Sequence, residues 1–456
     1  MPDNPATFDR EHLAGLISRE RETYRQRHRG SRRAFASGSQ NLLGGVPMTW
    51  MRMWAGGFPV YFSQAHGAGL TDIDGNSFID FCLGDTGAMA GHSPAATVAA
   101  VARRLGELGG AATMLPTQDA GWVAAELTRR FGVTRWSFTL TATDANRWAI
   151  RFARQLTRRP KIAVFSYCYH GSVDETFILS GPDGAVSRPG NVGAPVDPRE
   201  TTRVAEFNDL PALERELAAG DVAAVLMEPA LTNIGIVLPE SGYLAAVREL
   251  TRRHGCLLIN DETHTFSAGP GGCTRAWGLA PDIVTIGKSI AGGIPAGAFG
   301  LSTELAEAIL ADPAADIEDT GGVGGTLAGN ALSTAAMRAT LEQVLTDEAF
   351  ATMIGVATHY TAGVQDVITS RGLPWTITQL GARAEYRFCP VPPRTGGESE
   401  AAADLQLDEY LHLYTINRGV LMTPFHNMAL MSPVTTTADA DVHTEVFAAA
   451  AGELFN

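Results

Sequence analysis

The chain has 456 residues, 45% of them apolar, and a formal net charge of −14. That length and apolar content suit one large α/β domain with a smaller one, and they exclude global disorder. The acidic balance argues against nucleic-acid binding.

The opening MPDNPATFDRE holds no apolar signal core, no stretch approaches a membrane span, and Cys82, Cys168, Cys256, Cys273 and Cys389 show no C-x-x-C spacing. These features predict a cytoplasmic protein with reduced thiols, no membrane partner and no metal. Residues 12–30, HLAGLISRERETYRQRHRG, predict a charged helix leading into Arg32 and Arg33. Such a cluster either contacts an anion or forms a solvated face packed on the body or on a second copy. The run GGVPMTWMRMWAGGFPVYF follows, rich in Met and Trp, and LTDIDGNSFIDF predicts a hairpin turning at Asp74-Gly75-Asn76.

From about residue 90 to 345, helix-like segments (PAATVAAVARRLGELG, DAGWVAAELTRRFG) alternate with strand-like ones. The latter are WSFTL, KIAVFSY, DVAAVLMEP, CLLINDE, DIVTIGK and GAFGLS. Continuous apolar runs suit strands buried on both faces. The alternation predicts a mainly parallel sheet sandwiched by helices, with ligands beyond the carboxyl ends of the strands. After residue 346 come a long helix pattern (DEAFATMIGVATHYTAGVQDVITSRG), strand-like AEYRFCPV and a polar loop over 391–402. The expected division is an N-terminal segment 1–67, a large domain 68–345 and a smaller α+β domain 346–456.

Lys288, in DIVTIGKSIAGGIPAGAFG, follows Asp261 of CLLINDE by 27 residues. An amine beside a buried strand is poorly solvated, which favours its neutral, nucleophilic form. A carboxylate at the mouth of a neighbouring strand can keep a pyridinium nitrogen protonated. Together these are the two protein groups that pyridoxal 5′-phosphate (PLP) needs. Thr141, Ala142 and Thr143 would occupy a strand-to-helix turn, whose backbone N–H groups either bind a phosphate or form an ordinary cap. Tyr167, Tyr169 and His170 close KIAVFSYCYHG, where an aromatic ring either stacks on a flat heterocycle or sits at the rim. Glu228 closes another strand.

The runs GAGLTDIDGNSFIDF, GHSP, TATDAN, KIAVFSYCYHG, MEPA, NDETHTF, PDIVTIGKSIAGGIPAGAFG and GGTLAGN stand in this order over residues 68–345. In sequence and spacing they resemble the class III aminotransferases, PLP enzymes of fold type I. The branch most resembled holds glutamate-1-semialdehyde aminomutase and β-amino-acid or amine transaminases. The resemblance implies a mainly parallel seven-stranded sheet and a smaller α+β domain. It implies that Lys288 forms the Schiff base and shuttles protons, that Asp261 pairs with the pyridine nitrogen, and that Tyr169 stacks on the ring. It places His170 and Glu228 beside the cofactor, and Thr141, Ala142 and Thr143 around its phosphate. Thr326 would reach that phosphate from a neighbouring subunit, so a homodimer, or a tetramer built from it, is expected.

The chain departs from this pattern in places. Thr-Ala-Thr-Asp at 141–144 replaces the family's Ser-Gly-Thr-Glu, putting a Cβ where glycine allows close approach. His264 replaces a Gln or Met, either bonding the cofactor's phenolic oxygen or tuning it by charge. Asn233 stands where enzymes for ω-amino acids carry a gating carboxylate. No arginine occupies the two positions that β-amino-acid relatives use, near Met48–Trp50 and near Phe425 or His426. Arg52 and Arg383 remain to grip a substrate carboxylate. Trp50, Met51, Arg52, Met53, Trp54, Arg383 and His426 are the candidate substrate residues, and a Met/Trp wall would be apolar and adaptable. The expectation is an aminotransferase moving an amino group from a bulky or aromatic amine or non-α amino acid to a keto acid, aldehyde or ketone. The alternative is a 2,1-aminomutase of the glutamate-1-semialdehyde type, or an amino-lyase or racemase.

Overall fold

The computed structural model describes residues 8–182, 184–193, 196–317 and 322–455. Contacts group the chain into two compact units. The second unit, Pro94–Phe350 with Pro393–Ala401, holds a seven-stranded sheet. Its strands are β1 (Arg135–Thr139), β2 (Lys161–Phe165), β3 (Thr202–Ala205), β4 (Val222–Met227), β5 (Leu257–Asp261), β6 (Ile283–Ile286) and β7 (Gly297–Leu301). Their spatial order is β1-β7-β6-β5-β4-β2-β3. β7 runs antiparallel to both neighbours, and the other pairs are parallel. Six strands therefore end at the same edge, where an open α/β sheet gathers its ligand groups.

Every residue of β4, β6 and β7 is buried, as continuous apolar runs demand. The helix Ala142–Thr157 lays Ala145, Ala149, Ile150 and Ala153 inward, and three methyls beside one branched chain keep its axis close to the sheet. Burying Ile150 alone contributes about 1.5–3 kcal/mol. Six strands coincide with the strand-like segments read from sequence. β3 does not, because it is a short edge strand whose Arg203 turns outward to Asp221 and Glu216.

The first unit takes the residues up to Ser93, Ala351–Pro392 and those from Ala402 on. One sheet pairs Phe62–His66, Gly69–Asp72, Ser77–Asp80 and Val420–Leu421, and another pairs Thr376–Leu380, Arg383–Arg387 and Met428–Leu430. The hairpin expected around Asp74-Gly75-Asn76 is present. Because its strands bond to residues 62–66 and 420–421, the expected boundary after residue 67 falls inside this unit.

The single helix expected over 12–30 is two, Arg10–Arg27 and Arg29–Gly38. The break is at His28, whose buried Nδ1 lies 2.9 Å from Asp72 Oδ2, while Asp74 accepts the first N–H groups of the second helix, from Gly30 and Ser31. Arg25, Arg29, Arg32 and Arg33 line an exposed groove of about 770 Å³. The expected loop over 391–402 contains a helix, Gly396–Ala401, in a stretch held to the second unit's own residues by Arg394 on Glu240 at 2.5 Å. All five cysteines are free thiols. Among the described residues no helix is long and apolar enough to cross a membrane.

Arg130 ties the second unit together from inside. Its guanidinium is fully buried, donates to Glu126 Oε1 at 2.7 Å, and donates to the carbonyls of Pro270, Leu341 and Leu345 at 2.9–3.0 Å. Arg130→Met should destabilise the protein by about 3–5 kcal/mol, because it leaves three enclosed carbonyls without their donor, while Glu126 keeps its pair with Arg129. A drop in the urea midpoint at unchanged m-value would show it; an unchanged midpoint would mean that these groups find other partners.

Candidate active site

β5 and β6 are adjacent and parallel, and Asp261 lies level with Thr285. The residues separated by 27 positions are thus brought to one edge, Asp261 at the end of β5 and Lys288 just past the end of β6. Lys161 and Lys288 are the only lysines in the chain. Lys161 begins β2, at the opposite end of its strand, and is ion-paired with Asp221 at 3.2 Å. Lys288 is therefore the one amine side chain at the carboxyl edge. Its φ of +52° lies in the left-handed region, where a non-glycine residue costs about 1–2 kcal/mol. Such strain concentrates at functional sites.

Asp261 is buried and held from three elements. Its Oδ2 accepts from Asn146 Nδ2 at 2.7 Å, on the helix Ala142–Thr157, and lies 2.9 Å from His170 Nδ1, past β2. Its Oδ1 accepts the N–H of Thr263 at 3.0 Å. Burial alone would raise its pKa, but His170, Thr263 and Asn146 hold the carboxyl below the ordinary range. Burial likewise opposes the charged imidazole, yet Cys168 and Asp261 lift His170 above its usual value. An ionised carboxylate is thereby presented at the strand end, as a pyridinium nitrogen requires. Glu228 differs: burial pushes its pKa up, against His170 and a hydrogen bond from Thr232. Glu228 Oε1 also accepts the Tyr169 N–H at 3.1 Å, fixing the turn that carries Tyr169 and His170.

The turn after β1 has the form a phosphate needs. Thr141 is the N-cap of a 16-residue helix, its hydroxyl accepting the Asp144 N–H at 3.1 Å. Capping leaves the first N–H groups of the helix, from Ala142 and Thr143, for an anion. Thr143 Oγ1 is engaged by the Ser172 N–H at 3.1 Å. The methyl of Ala142 finds its space at Gly287: a Cβ on that residue would lie 2.9 Å from the Ala142 Cβ. Glycine before the lysine therefore leaves room for the Ala142 methyl. These groups fit PLP: an amine for its carbonyl carbon, a carboxylate for its ring nitrogen and a helix N-terminus for its phosphate. His264 is buried, with Nε2 2.7 Å from Lys288 Nζ. Thr326 lies on an exposed turn ahead of the helix Ala331–Gln343.

The expected substrate residues lie in the first unit. Trp50, Met51 and Arg52 form the 3-10 turn Thr49–Arg52, with Met53 and Trp54 following. Met51 and Met53 are exposed rather than packed in a core, and the Trp50 ring lies 5.5 Å from that of Phe425. Arg383 is fully buried and donates to Thr86 Oγ1 at 2.5 Å. Glu385, two residues along the same strand face, lies 3.3 Å from His426 Nδ1. Sequence reasoning missed Asn146 and Thr285. The signal was there: Thr285 is the lone polar side chain in the IVTI strand, and its hydroxyl holds Asn146 Oδ1 at 2.6 Å so that Nδ2 points to Asp261.

The sheet and this arrangement define a PLP-dependent enzyme of fold type I. Residues 51–382 match the class III aminotransferase family, and the chain belongs to that family. It is 33% identical over 403 residues to glutamate-1-semialdehyde 2,1-aminomutase 2 of Brevibacillus brevis, covering 86% of this chain and 91% of that one. A solved glutamate-1-semialdehyde aminomutase from Pseudomonas aeruginosa PAO1 is 46% identical, covers 98% and 99% of the two chains, and superposes with a TM-score of 0.94. A structure of that protein in complex with PMP gives 0.95. An omega-transaminase from Sphaerobacter thermophilus is 28% identical, with a TM-score of 0.84 over 93% and 98%. PLP is the cofactor. The expectation of a transaminase for bulky or aromatic amines is overturned, because aminomutases match at higher identity over nearly the whole chain. Met and Trp composition around residue 50 was a poor guide to substrate.

Borohydride reduction of the holoenzyme should leave the cofactor mass on the Lys288 peptide. In Lys288→Ala that adduct should vanish and turnover should fall at least about 10³-fold; an active variant would refute the lysine's role. Asp261→Asn should keep the cofactor but lower turnover about 10²–10³-fold, by removing charge aimed at the ring nitrogen.

Proposed function

We propose that this enzyme is a 2,1-aminomutase of the glutamate-1-semialdehyde type, exchanging the amino group of carbon 2 with the aldehyde oxygen of carbon 1. The reading is carried by the whole-length similarity to the Pseudomonas aeruginosa aminomutase. It agrees with Asn233, which stands where a gating carboxylate would be. A transaminase accepts two chemically different substrates in turn and needs a way to release one grip for the other. A mutase handles a single carbon skeleton and needs no such switch.

When bound, PLP supplies an electron sink for a carbanion next to nitrogen. The chain's own residues do the rest. Asp261 holds the ring nitrogen's proton and so maintains the sink. The Ala142 and Thr143 N–H groups anchor the phosphate end. Lys288 Nζ, once released as a free amine, carries a proton between neighbouring positions, because one flexible side chain reaches both. Arg383 and Arg52 are the residues proposed for the substrate carboxylate, Arg383 having the more enclosed guanidinium. A homodimer, with Thr326 reaching its partner's phosphate, belongs to the same proposal.

Purified enzyme given glutamate 1-semialdehyde, with no amino donor or acceptor, should form the 1-amino-2-ketone isomer to completion. Added keto acid should not raise the rate. Absence of isomerisation from a cofactor-loaded, folded protein would refute the mutase assignment.

A further inference from the structure

The arginines of the two N-terminal helices fall into two sets. On Arg10–Arg27, Arg10 pairs with Asp404 at 2.6 Å, Arg21 with Glu409 at 2.5 Å, and Arg19 with Glu20 and Glu453. Arg27 donates to the Asn417 carbonyl and to Asn76 Oδ1. This set packs the helix on its own unit. Arg25, Arg29, Arg32 and Arg33 form the other set, and none of their side chains has an ion pair or a hydrogen bond among the described residues. Exposure does not explain the difference, because Arg10, Arg19 and Arg21 are 44–55% exposed and still find carboxylates.

These four guanidiniums line the groove of about 770 Å³. The break at His28, fixed by Asp72 and Asp74, keeps the end of one helix and the start of the next around it. Glu22 is the one carboxylate in the lining, and it accepts from Gln26 at 2.8 Å. Like charges so gathered repel one another, and a bound anion relieves that repulsion. Apolar surface is scarce there: Phe58 is buried, and Ala36 and two glycines complete the lining. A Cβ on Gly57 would meet nothing within 4 Å, so the groove is open beside it. We propose that this groove binds a compact anion of two or more linked phosphate groups. Planar guanidiniums match phosphate oxygens in pairs, and linked phosphates place several charges within one small volume. An acidic peptide spreads its charges along a flexible chain, and a long nucleic acid would meet the repulsion of a chain with net charge −14. The site belongs to the first unit and does not depend on the mutase reading.

The test is calorimetric titration of borohydride-reduced holoenzyme, whose phosphate turn stays filled, with sodium tripolyphosphate at low salt. One site per chain is expected. The double variant Arg29→Gln/Arg33→Gln should bind at least about 10-fold more weakly, and added salt should weaken the wild type as well. Arg215→Gln/Arg252→Gln removes the same charge from exposed arginines of the second unit and should bind as the wild type does. Tetraglutamate should bind at least about 10-fold more weakly than tripolyphosphate, because it lacks the paired oxygens. The substituted side chains are exposed, so melting temperatures should not move; where the double variant fails to fold, Arg33→Gln alone should show a loss of about 3-fold. No binding by the wild type, equal losses in the two double variants, or tetraglutamate binding as tightly would each overturn the proposal. So would a groove covered by a second copy, seen as no binding together with a change in assembly mass on Arg29→Gln/Arg33→Gln.

Discussion

The carboxylate of Asp261 is enclosed at the end of β5, where an isolated charge would cost several kcal/mol. It stays ionised only because the neighbouring helix, the turn past β2 and its own turn each bring a donor to it. That requirement orders much of the second unit. Asn146 must sit one turn into its helix, Thr285 must hold the far side of Asn146, and His170 must be locked by the turn that Glu228 secures. Each of these contacts links two elements of the sheet's carboxyl edge, so a shift in strand order or register would leave a buried charge unmatched.

Lys288 poses the complementary problem. A nucleophilic amine must be close to that carboxylate without being captured by it. Adjacent parallel strands place both at one edge, where Asp261 is held by Asn146, Thr263 and His170 and Nζ lies 2.7 Å from His264 Nε2. Gly287 lets the lysine turn lie against Ala142 at the head of the phosphate-turn helix. The altered Thr-Ala-Thr-Asp turn and the glycine before the lysine are thus parts of one packing solution.

Substrate chemistry is distributed differently. The Met/Trp stretch near residue 50 lies in a solvent-exposed 3-10 turn, and its composition reports surface type without specifying which polar group of a substrate is read. Its apolar look suggested a bulky amine, and similarity along the full chain to aminomutases contradicts that. The buried row of Arg383 and Glu385 shows why the arginine was ambiguous from sequence. Alternation places both side chains on one strand face, but only the fold shows Thr86 and His426 meeting them there.

Apolar runs declared β2, β4, β5, β6 and β7, because strands covered on both faces have little polar side to encode, and β1 showed instead as the alternating WSFTL of an edge strand. The motif order declared the family, and spacing marked Lys288 and Asp261. β3 was silent, as a four-residue edge strand with an outward arginine carries no such run. The break at His28 was silent too, since its cause is an aspartate 44 positions away. Asn146, Thr285 and the His264–Lys288 contact likewise join residues distant in the chain. Local pattern by itself determined the elements and the chemistry-bearing residue types. Tertiary structure decided which of those residues meet through a hydrogen bond or a buried charge, because such contacts depend on distance in space, and distance along the chain does not encode it.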